Sequence, residues 1–399
     1  METSRLFRLK SSIQNYSWGS RDALSKLFGI PNPANEPQAE IWMGAHPKSP
    51  SLVEIEQGQY MPLDQLIQQH GRKILGDDIA CQFDGKLPFL FKVLSAAEPL
   101  SIQAHPNKAQ AEQGFKKEND TGISLNAPFR NYRDDNHKPE LIYALTPFKA
   151  MCAFRPLEQI AAYFRLLNNR FIDEQLDMLT SKFDETGLKQ FYATLMQASN
   201  EQIADIITDA FSAASTHDDL AFKTLCNLVE KYPADIGVLS PLLLNIVELQ
   251  PKEALFLDAG TLHAYLEGTG LEVMASSDNV LRGGLTPKHV DVPELLATID
   301  FRSVASDQLK LPPRRVERTI EYPVPVNDFS YTLLPIEQTL MHRQSNAVSL
   351  LFCNAGHFLA QDHSHKLHLK PGDACLVPAN TEYSLSGKGE AVIISCCGK

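Results

Sequence analysis

Residues 100–106 place three polar side chains at alternate positions, a spacing that could support metal chemistry. Ser101, Gln103 and His105 are separated by apolar residues, and the run ends at Pro106. Because a β-strand has a period of two, the three polar groups are expected to share one face. An amide oxygen and an imidazole nitrogen can both bind a metal ion. The same pattern is typical of a solvent-facing strand, which is the commoner case when one strand is considered alone.

Two further segments supply groups of the same kind. Lys138 and Glu140 fall on one side of a short run, and His263 and Tyr265 follow a turn signal at residues 258–260. With the amide and imidazole of the first run, they make a set of two imidazoles, one carboxylate and one amide. This set suits zinc, with iron or manganese as alternatives. The groups lie far apart in the sequence, so spacing alone does not prove a metal site.

Longer strings show a resemblance to a known family. They resemble the type I mannose-6-phosphate isomerases (phosphomannose isomerases) of the cupin superfamily, in the same order from the N-terminus to the C-terminal tail. The matching strings are residues 16–19, 39–47, 99–108, 136–141, 258–265 and 271–288. The run 279–288 is far more specific than any two-residue pattern. The one nearby difference is Ala153, at a position where glycine is more usual.

The resemblance implies a zinc-dependent aldose–ketose isomerase with one zinc ion per chain. Its reaction would interconvert mannose 6-phosphate and fructose 6-phosphate through an enediol intermediate. The sequence keeps the family's residue type at all five positions that the family uses as zinc ligands and active-site arginine. An arginine can stabilise negative charge that develops on oxygen without giving up its proton. The family's active-site arginine corresponds to Arg282, and its zinc ligands correspond to Gln103, His105, Glu140 and His263.

The proton-transfer group and the substrate contacts are less well defined. Glu272 and Lys138 are the candidates for the base, with Asp278 behind them, and the sequence does not rank them. Lys92 interrupts an apolar strand, where a lysine usually extends its amine into water. Inside a barrel the same lysine would instead bind phosphate. The expected substrate-binding residues are Ser101, Lys92, Tyr265, Asp278, Lys288, Trp18 and Glu40.

Two other functions stay open at this point. A cupin iron dioxygenase would also use His and Glu ligands, but commonly with more His and without a loop such as Arg-Gly-Gly at 282–284. A non-catalytic cupin that binds sugar phosphates would keep the pocket and need neither a metal nor a base.

Composition and charge limit the possible partners. The 399-residue chain has a formal net charge of −11, which disfavours nucleic acid and anionic membranes as partners. An anionic substrate must therefore be held by a local cluster of Lys and Arg. No apolar run approaches the ~20 residues of a membrane span, and the N-terminus lacks a signal-peptide core. The spacing of the seven cysteines is not that of a disulfide framework. We expect a cytoplasmic monomer with reduced thiols, whose partner is a small-molecule sugar phosphate.

The periodicity of apolar residues along the chain predicts a mainly β fold with an inserted α domain. Residues 1–150 and 251–310 read as short strands between turns and are expected to form a discontinuous catalytic cupin domain, a jelly-roll β-barrel. Residues 151–250 change to a helical period and are expected to form a helical insertion domain. Ser199 and Gln202 make a capping-box signature there. The helix that follows is expected to bury Ile203, Ile206, Ile207, Ala210 and Phe211.

The region 311–399 is expected to be a C-terminal metal-free cupin-like domain. Residues 369–383 look like the second half-motif of a cupin barrel, with Gly-Asp followed by Pro and a polar turn. Tyr383 stands where a metal-binding cupin would usually place His. A His-rich cluster nearby lacks a Glu at cupin spacing, so an exposed hairpin tip is expected at His363 and His365.

Overall fold

The computed structural model describes residues 5–396, and this part of the chain is mainly β. It contains 22 strands and 11 α-helices, and the strands form two sheets of 11 strands each. Two short 3-10 helices lie at Ile236–Leu239 and Ser306–Gln308. Among the described residues, no helix combines the length and the apolar character that a membrane span requires.

The strands, in chain order, are β1 Phe7–Lys10, β2 Ser12–Gln14, β3 Glu40–Gly44, β4 Leu52–Glu56, β5 Gln59–Pro62, β6 Phe89–Ala96, β7 Ile102–Ala104, β8 Glu140–Ala144, β9 Phe148–Phe154, β10 Leu244–Leu249, β11 Ala254–Leu257, β12 His263–Ala275, β13 Leu281–Gly284, β14 Lys310–Leu311, β15 Arg314–Val316, β16 Thr319–Tyr322, β17 Ser330–Ile336, β18 Met341–Gln344, β19 Ser349–Gln361, β20 Lys366–Leu369, β21 Ala374–Val377 and β22 Glu382–Ser395. The helices are α1 Ala23–Phe28, α2 Leu63–Leu75, α3 Asp77–Gln82, α4 Lys108–Asp120, α5 Leu157–Arg165, α6 Arg170–Lys182, α7 Glu185–Met196, α8 Asn200–Ala214, α9 Leu220–Lys231, α10 Ser240–Leu243 and α11 Val292–Thr298.

Both ends of the chain contribute to the first sheet. Its order is β15-β16-β17-β22-β19-β21-β1-β4-β5, with β18 on β22 and β20 on β19. Strand β1 pairs with β21 through Phe7 opposite Leu376, and with β4 through Leu9 opposite Val53. Strands β1, β4 and β5 therefore share a sheet with the C-terminal strands, although the sequence placed residues 1–150 in the catalytic domain. The domain boundaries themselves stay a prediction.

Strand β12 organises the second sheet, whose order is β14-β11-β8-β12-β6-β3-β2 with β7, β9, β10 and β13 attached. Its later residues pair with β6 and β8, and its first residue, His263, pairs with β7 and β9. The three segments that carry the predicted ligands therefore meet along one strand.

Helices α5 to α9 lie in the chain between β9 and β10 and support β7 from behind. The apolar residues of β7, Ile102 and Ala104, are fully buried in a core cluster composed largely of residues from these helices. Since alternate residues of a strand point to opposite faces, Gln103 faces away from the helices. The alternation predicted for this run is confirmed by its burial pattern.

The structure tests the predicted helix after Ser199 in detail. The capping box of Ser199 and Gln202 is confirmed at the start of α8. Ile206, Ile207 and Ala210 are buried as expected, and Ile203 packs partly buried against the same core. The expected burial of Phe211 is wrong, because this side chain is 50% exposed. It lies about 100° around the helix from Ala210, at the margin of the buried stripe.

Ala153 has the backbone conformation that explains why glycine is more usual there. Its φ of 54° lies in the left-handed region, which costs a residue with a Cβ about 1–2 kcal/mol. The N–H of Ala153 donates to the carbonyl of Leu262 at 3.0 Å. This bend therefore fixes the end of β9 against the start of β12.

The predicted hairpin at the His-rich cluster is confirmed by the pairing of β19 with β20, but its tip is more than an exposed loop. Asp362 is buried and accepts hydrogen bonds from the backbone N–H groups of Leu6, Ser364 and His365. His365 Nε2 lies 2.6 Å from Arg5 Nη1. The tip therefore binds the N-terminal segment, and His365 is half-buried while His363 is exposed.

Replacing Asp362 with alanine is expected to lower the free energy of unfolding by about 2–3 kcal/mol, because three backbone donors lose their acceptor. Burial raises the pKa of Asp362, but these donors outweigh it and lower the pKa below the ordinary 3.8. The contribution is thus present at neutral pH and lost as the pH falls below that value. Denaturant unfolding measures the effect. The control, His363→Ala, should stay within about 0.5 kcal/mol of wild type, and an equal loss in both variants would contradict the assignment.

Candidate metal centre and active site

Three of the four predicted metal ligands come together in a buried cluster. His105 follows β7, Glu140 begins β8 and His263 begins β12. Their ligand atoms all lie within 4.8 Å of one another. The Nε2 atoms of His105 and His263 lie 3.3 Å and 3.4 Å from the two carboxylate oxygens of Glu140. Within residues 5–396, no other group of His, Cys, Asp and Glu side chains meets this spacing.

Backbone carbonyls fix the protonation of both imidazoles. His105 Nδ1 lies 2.7 Å from the carbonyl oxygen of Asn279, and His263 Nδ1 lies 2.9 Å from that of Thr261. A carbonyl can only accept, so each Nδ1 carries the proton and each Nε2 presents a lone pair to the cluster. Burial and the charge of Lys138 lower the pKa of His105 to about 4. A neutral imidazole held in this way is the form that binds metals.

The polar atoms left without partners test whether a metal ion fits. His105 Nε2, His263 Nε2 and Glu140 Oε2 are buried and have no hydrogen-bond partner. Leaving such atoms unpaired would cost about 1–3 kcal/mol each. Burial would raise the pKa of Glu140, but opposing influences, of which the positive charge of Lys138 is the largest, hold the pKa well below its ordinary value. Two neutral nitrogens and one carboxylate that face one another fit a divalent cation.

Strand register places Gln103 beside this cluster and beside Arg282. Gln103 is directly opposite His263 on β12 and directly opposite Arg282 on β13. Residues opposed in neighbouring strands project to the same face, with Cβ atoms about 5 Å apart. Gly284 has a φ of 129°, and a Cβ there would lie 2.8 Å from the Cα of Gly237. Glycine therefore allows the backbone after Arg282 to pass this close to its neighbour.

Lys92 is buried between two carboxylates and does not extend into water. Its Nζ lies 3.1 Å from Glu272 Oε2 and 3.4 Å from Glu40 Oε1. Burial lowers the pKa of Lys92, but the two carboxylates outweigh it and raise the pKa above its ordinary value. The register explains the contacts, since Lys92 is opposite Glu272 on one side and opposite Trp42 on the other.

Glu272 and Tyr265 connect the group of Lys92, Glu40 and Glu272 electrostatically with the predicted metal ligand Glu140. Burial raises the pKa of Glu272; Lys92 opposes the shift, and the charges of Glu140 and Glu40 add to it. The Tyr265 hydroxyl is buried without a hydrogen-bond partner. Burial and the charges of Glu272 and Glu140 raise the pKa of Tyr265. A buried carboxylate with a raised pKa next to a metal-ligand cluster is typical of a group that transfers protons.

Asp278 is held by two basic residues that the sequence did not single out. Its Oδ2 lies 2.7 Å from Lys48 Nζ and 3.5 Å from His46 Nε2. Burial would raise the pKa of Asp278, but hydrogen bonds from His46 and Lys48 lower it far below its ordinary value. Asp278 is therefore a poor base. His46 was inside the matched string 39–47 and could have been found as an imidazole within it.

Trp18 lies partly buried and stacks on Tyr16. The two ring centroids are 5.7 Å apart, with 27° between the ring planes. Burial and the charge of Glu40 raise the pKa of Tyr16, and the charge of Lys92 lowers it. Tyr16 belongs to the matched string 16–19 but was not among the predicted site residues.

A cationic group lies at the Arg282 side of the cluster. Burial and the charge of Arg133 lower the pKa of Arg282, and burial, Arg282 and Arg133 together lower the pKa of Lys288. Among the described residues, none of these three side chains forms an ion pair with a carboxylate. The backbone N–H of Arg133 donates to Asn279 Oδ1, and its Nη1 donates to the carbonyl of Leu125, both at 2.7 Å. The sequence missed Arg133 because it precedes the matched string 136–141.

The remaining predicted residues lie around the same groups. Lys138 Nζ is 3.1 Å from Glu140 Oε1, and Ser101 lies partly exposed directly before β7. Lys288 is exposed beyond β13, and Glu40 accepts a hydrogen bond from Trp42 Nε1 at 2.7 Å. The structure thus brings three of the four predicted metal ligands together and places Lys92 in contact with Glu40 and Glu272. The roles assigned to individual residues stay predictions.

A mainly β fold with a buried His–Glu–His cluster defines a class of β proteins whose strands bring together the ligands of a candidate metal site. Residues 6–157 match the family model "Phosphomannose isomerase type I, catalytic domain", and residues 318–396 match "Mannose-6-phosphate isomerase, cupin domain". The chain is 44% identical to mannose-6-phosphate isomerase of Escherichia coli (strain K12) over 375 residues, which cover 94% of this chain and 95% of that protein. The chain belongs to the type I phosphomannose isomerase family.

More distant relatives and solved structures agree with this assignment. The mannose-6-phosphate isomerase of Homo sapiens is 33% identical over 432 aligned positions that cover the whole of both chains. A crystal structure of mannose 6-phosphate isomerase bound with zinc and yttrium superposes with a TM-score of 0.93 at 40% identity, and covers 98% of this chain and 100% of that one. A zinc-bound holo structure of mannose 6-phosphate isomerase has the same TM-score of 0.93.

Proposed function

We propose that the protein is a zinc-dependent aldose–ketose isomerase that interconverts mannose 6-phosphate and fructose 6-phosphate through an enediol intermediate. The observation that carries the proposal is the convergence of three buried, unpartnered ligand atoms from His105, Glu140 and His263. The relatives of the chain are mannose-6-phosphate isomerases, and solved relatives contain zinc. The cations beside Arg282 supply the charge that an anionic substrate requires.

One zinc ion per chain would be held by His105, Glu140, His263 and the amide oxygen of Gln103. Glu140 is the only charged member of this set, so the bound ion would keep a net positive charge. When bound, zinc would act as a Lewis acid toward a hydroxyl or carbonyl oxygen of the sugar. Lys138, 3.1 Å from Glu140, keeps that carboxylate ionised and in place.

Glu272 is the residue that we assign to proton transfer. An aldose–ketose isomerisation moves a proton between adjacent carbons, and the group that accepts it must be able to return it. Glu272 is buried and its pKa is raised, which brings it closer to the pH at which a base can both take and return a proton. Lys138 ranks second because it already pairs with a metal ligand, and Asp278 ranks third because its partners stabilise its ionised form.

The two ends of the substrate would contact different parts of the site. Arg282 lies opposite Gln103, so its guanidinium is placed to stabilise charge on the enediol oxygen. Arg133 and Lys288 have no carboxylate partner and would hold the phosphate, with Ser101 as a further donor. Lys92 is already neutralised, so it would bind sugar hydroxyls together with Glu40 and Tyr265. Trp18 and Asp278 would line the entrance.

Metal analysis and a coupled assay test the proposal directly. Purified protein should contain about one zinc per chain and should convert mannose 6-phosphate to fructose 6-phosphate. A non-catalytic sugar-phosphate-binding cupin would bind the sugar without turnover. An iron dioxygenase would contain iron and consume oxygen with its substrate. Absence of isomerase activity in the fully metallated protein would refute the proposal.

Replacing Glu140 with glutamine is expected to weaken zinc binding by at least about tenfold, because it removes the only anionic ligand. Turnover should fall in step with zinc content. The measurement is zinc content after dialysis against a chelator of graded strength. Glu112→Gln, at an exposed position on α4, is the matched control and should keep both properties. Full zinc occupancy together with full activity in the Glu140 variant would exclude this ligand assignment.

A further inference from the structure

A cavity of about 710 Å³ lies between the strands of the C-terminal cupin domain and the connection at Gly76 that joins α2 to α3. This connection is fixed to the loop between β21 and β22, because the carbonyl of Ile74 accepts from the N–H of Ala379 at 2.9 Å. Gly76 has a φ of 90°, and a Cβ there would lie 3.0 Å from the Cβ of Ala379. The cavity is therefore bounded by packed structure.

The polar lining of this cavity continues the interior face of the cupin domain. Thr332, Ser349 and Ser395 lie two residues from Leu334, Leu351 and Ile393, which are buried in the domain's core. Residues two apart on a strand point to the same face. Arg343 and Tyr383 enter from β18 and β22, where they are directly opposite each other. Tyr383 occupies the position at which a metal-binding cupin would usually place His.

Arg343 lacks the counter-charge that a partly buried guanidinium requires. Its Nε atom is buried and has no hydrogen-bond partner. Arg343 lies directly opposite Tyr383 on the neighbouring strand; burial raises the pKa of Tyr383, and the charge and hydrogen bonding of the Arg343 guanidinium lower it. Among the described residues, Arg343 forms no ion pair with a carboxylate. A partly buried charge without a counter-charge is unfavourable, so an anion that binds there would be stabilised.

The acidic residues nearby do not fill this role. Asp77 and Asp78 line the outer rim of the cavity, and Asp77 is exposed and lies 3.7 Å from Arg72. A neighbouring cavity of about 640 Å³, which Arg343 also lines, contains Asp362 and Glu382. Asp362 is occupied by three backbone donors, and Glu382 is exposed beside His363 at 3.8 Å.

We propose that the C-terminal cupin domain binds a small phosphorylated molecule in this cavity, with Arg343 as the phosphate ligand. A planar guanidinium matches two phosphate oxygens at once. The cavity has the size of typical small-molecule sites, which are about 300–1,000 Å³. Beyond Arg343, hydroxyl and amide groups could bind the remaining polar groups of such a ligand; these belong to Gln344, Ser345, Asn346, Ser349, Asn380 and Ser395. The site is separate from the metal centre and does not depend on the proposed isomerase activity.

Equilibrium dialysis of the metallated, full-length protein with inorganic phosphate tests this site. The wild type should bind two phosphates per chain, one at the Arg133 and Lys288 cations and one at Arg343. Arg343→Gln should bind one and keep its isomerase turnover within about twofold. If Arg133 and Lys288 bind no phosphate, the wild type should bind one phosphate and Arg343→Gln none. Failure of the phosphate site proposed for the isomerase can therefore be distinguished from failure of the site proposed at Arg343.

Two further variants keep the test decisive. Arg315→Gln, at an exposed position on β15 that lines neither cavity, is the matched control and should bind as the wild type does. Arg343→Lys keeps the charge and should bind phosphate at this site at least about fivefold more weakly, since it lacks the planar fork. If folded Arg343→Gln or Arg343→Lys protein binds phosphate with wild-type stoichiometry and affinity, the proposed site is wrong.

Discussion

Replacing Glu272 with glutamine is expected to lower turnover by about 10²–10⁴-fold, the range that general acid–base catalysis contributes. Glutamine keeps the volume and can still contact Lys92, which lies 3.1 Å from the carboxylate, but it cannot accept a proton. Glu272 is not among the metal ligands, so zinc content should remain that of the wild type. The loss should therefore appear in turnover while the metal centre stays intact.

The pH profile and a matched variant separate this role from a structural one. Since the base must be ionised, turnover should fall as the pH drops through the pKa of Glu272. Burial raises that pKa above the ordinary 4.5, so the acidic limb should lie above the value of a free glutamate. Glu267→Gln, at an exposed position on the same strand β12, should change turnover by less than about twofold. If Lys138→Gln shows the larger loss and Glu272→Gln keeps the acidic limb, Lys138 is the base.

The convergence of His105, Glu140 and His263 could be predicted in part, because two of the segments that carry the predicted ligands leave a local signal. Alternating apolar residues around Gln103 predicted a strand with one polar face, and burial of Ile102 and Ala104 confirmed it. The turn signal at 258–260 correctly placed His263 at the start of a strand. Which groups would meet still depended on the pairing of β7, β8 and β12, and that was supplied by the family resemblance.

Lys92 shows where a local pattern stops being informative. A lysine on an apolar strand has the same sequence signature whether its amine reaches water or lies inside the protein. The decision rests on its cross-strand partner Glu272, which lies far away in sequence and pairs with it only in the folded sheet. Asp278 is a similar case, because its lowered pKa comes from Lys48 and His46 on a distant segment.

The joining of the chain ends had no local signal either. Strand β1 pairs with β21, and Arg5 and Leu6 bind the hairpin tip at His365 and Asp362. A turn pattern predicts that a hairpin forms, but it does not show which other segment crosses it. The polar tip was therefore correctly placed between two strands, while the expected exposure of His365 was wrong.

Replacing Arg282 with alanine is expected to lower turnover by about 10²–10³-fold, the loss seen when one donor to a developing oxyanion is removed. Arg282 lies directly opposite Gln103, beside the metal ligands but not among them. The role of Arg282 should therefore be separable from metal binding, and Arg282→Ala should keep a zinc content near that of the wild type. Turnover, Michaelis constant and zinc content measured on one preparation give all three quantities.

The conservative variant and the Michaelis constant decide between two roles for Arg282. Arg282→Lys should recover only part of the lost turnover, because lysine keeps the charge but not the planar fork. The pKa values of Arg282 and Lys288 are lowered by burial and by neighbouring cations, and a group of positive charges of this kind suits a phosphate. If Arg282→Ala raises only the Michaelis constant and keeps turnover, Arg282 belongs with Arg133 and Lys288 as a phosphate ligand. Charge on the enediol would then have to be stabilised from the other side of the site, where Lys138 is the nearest cation to the metal ligands.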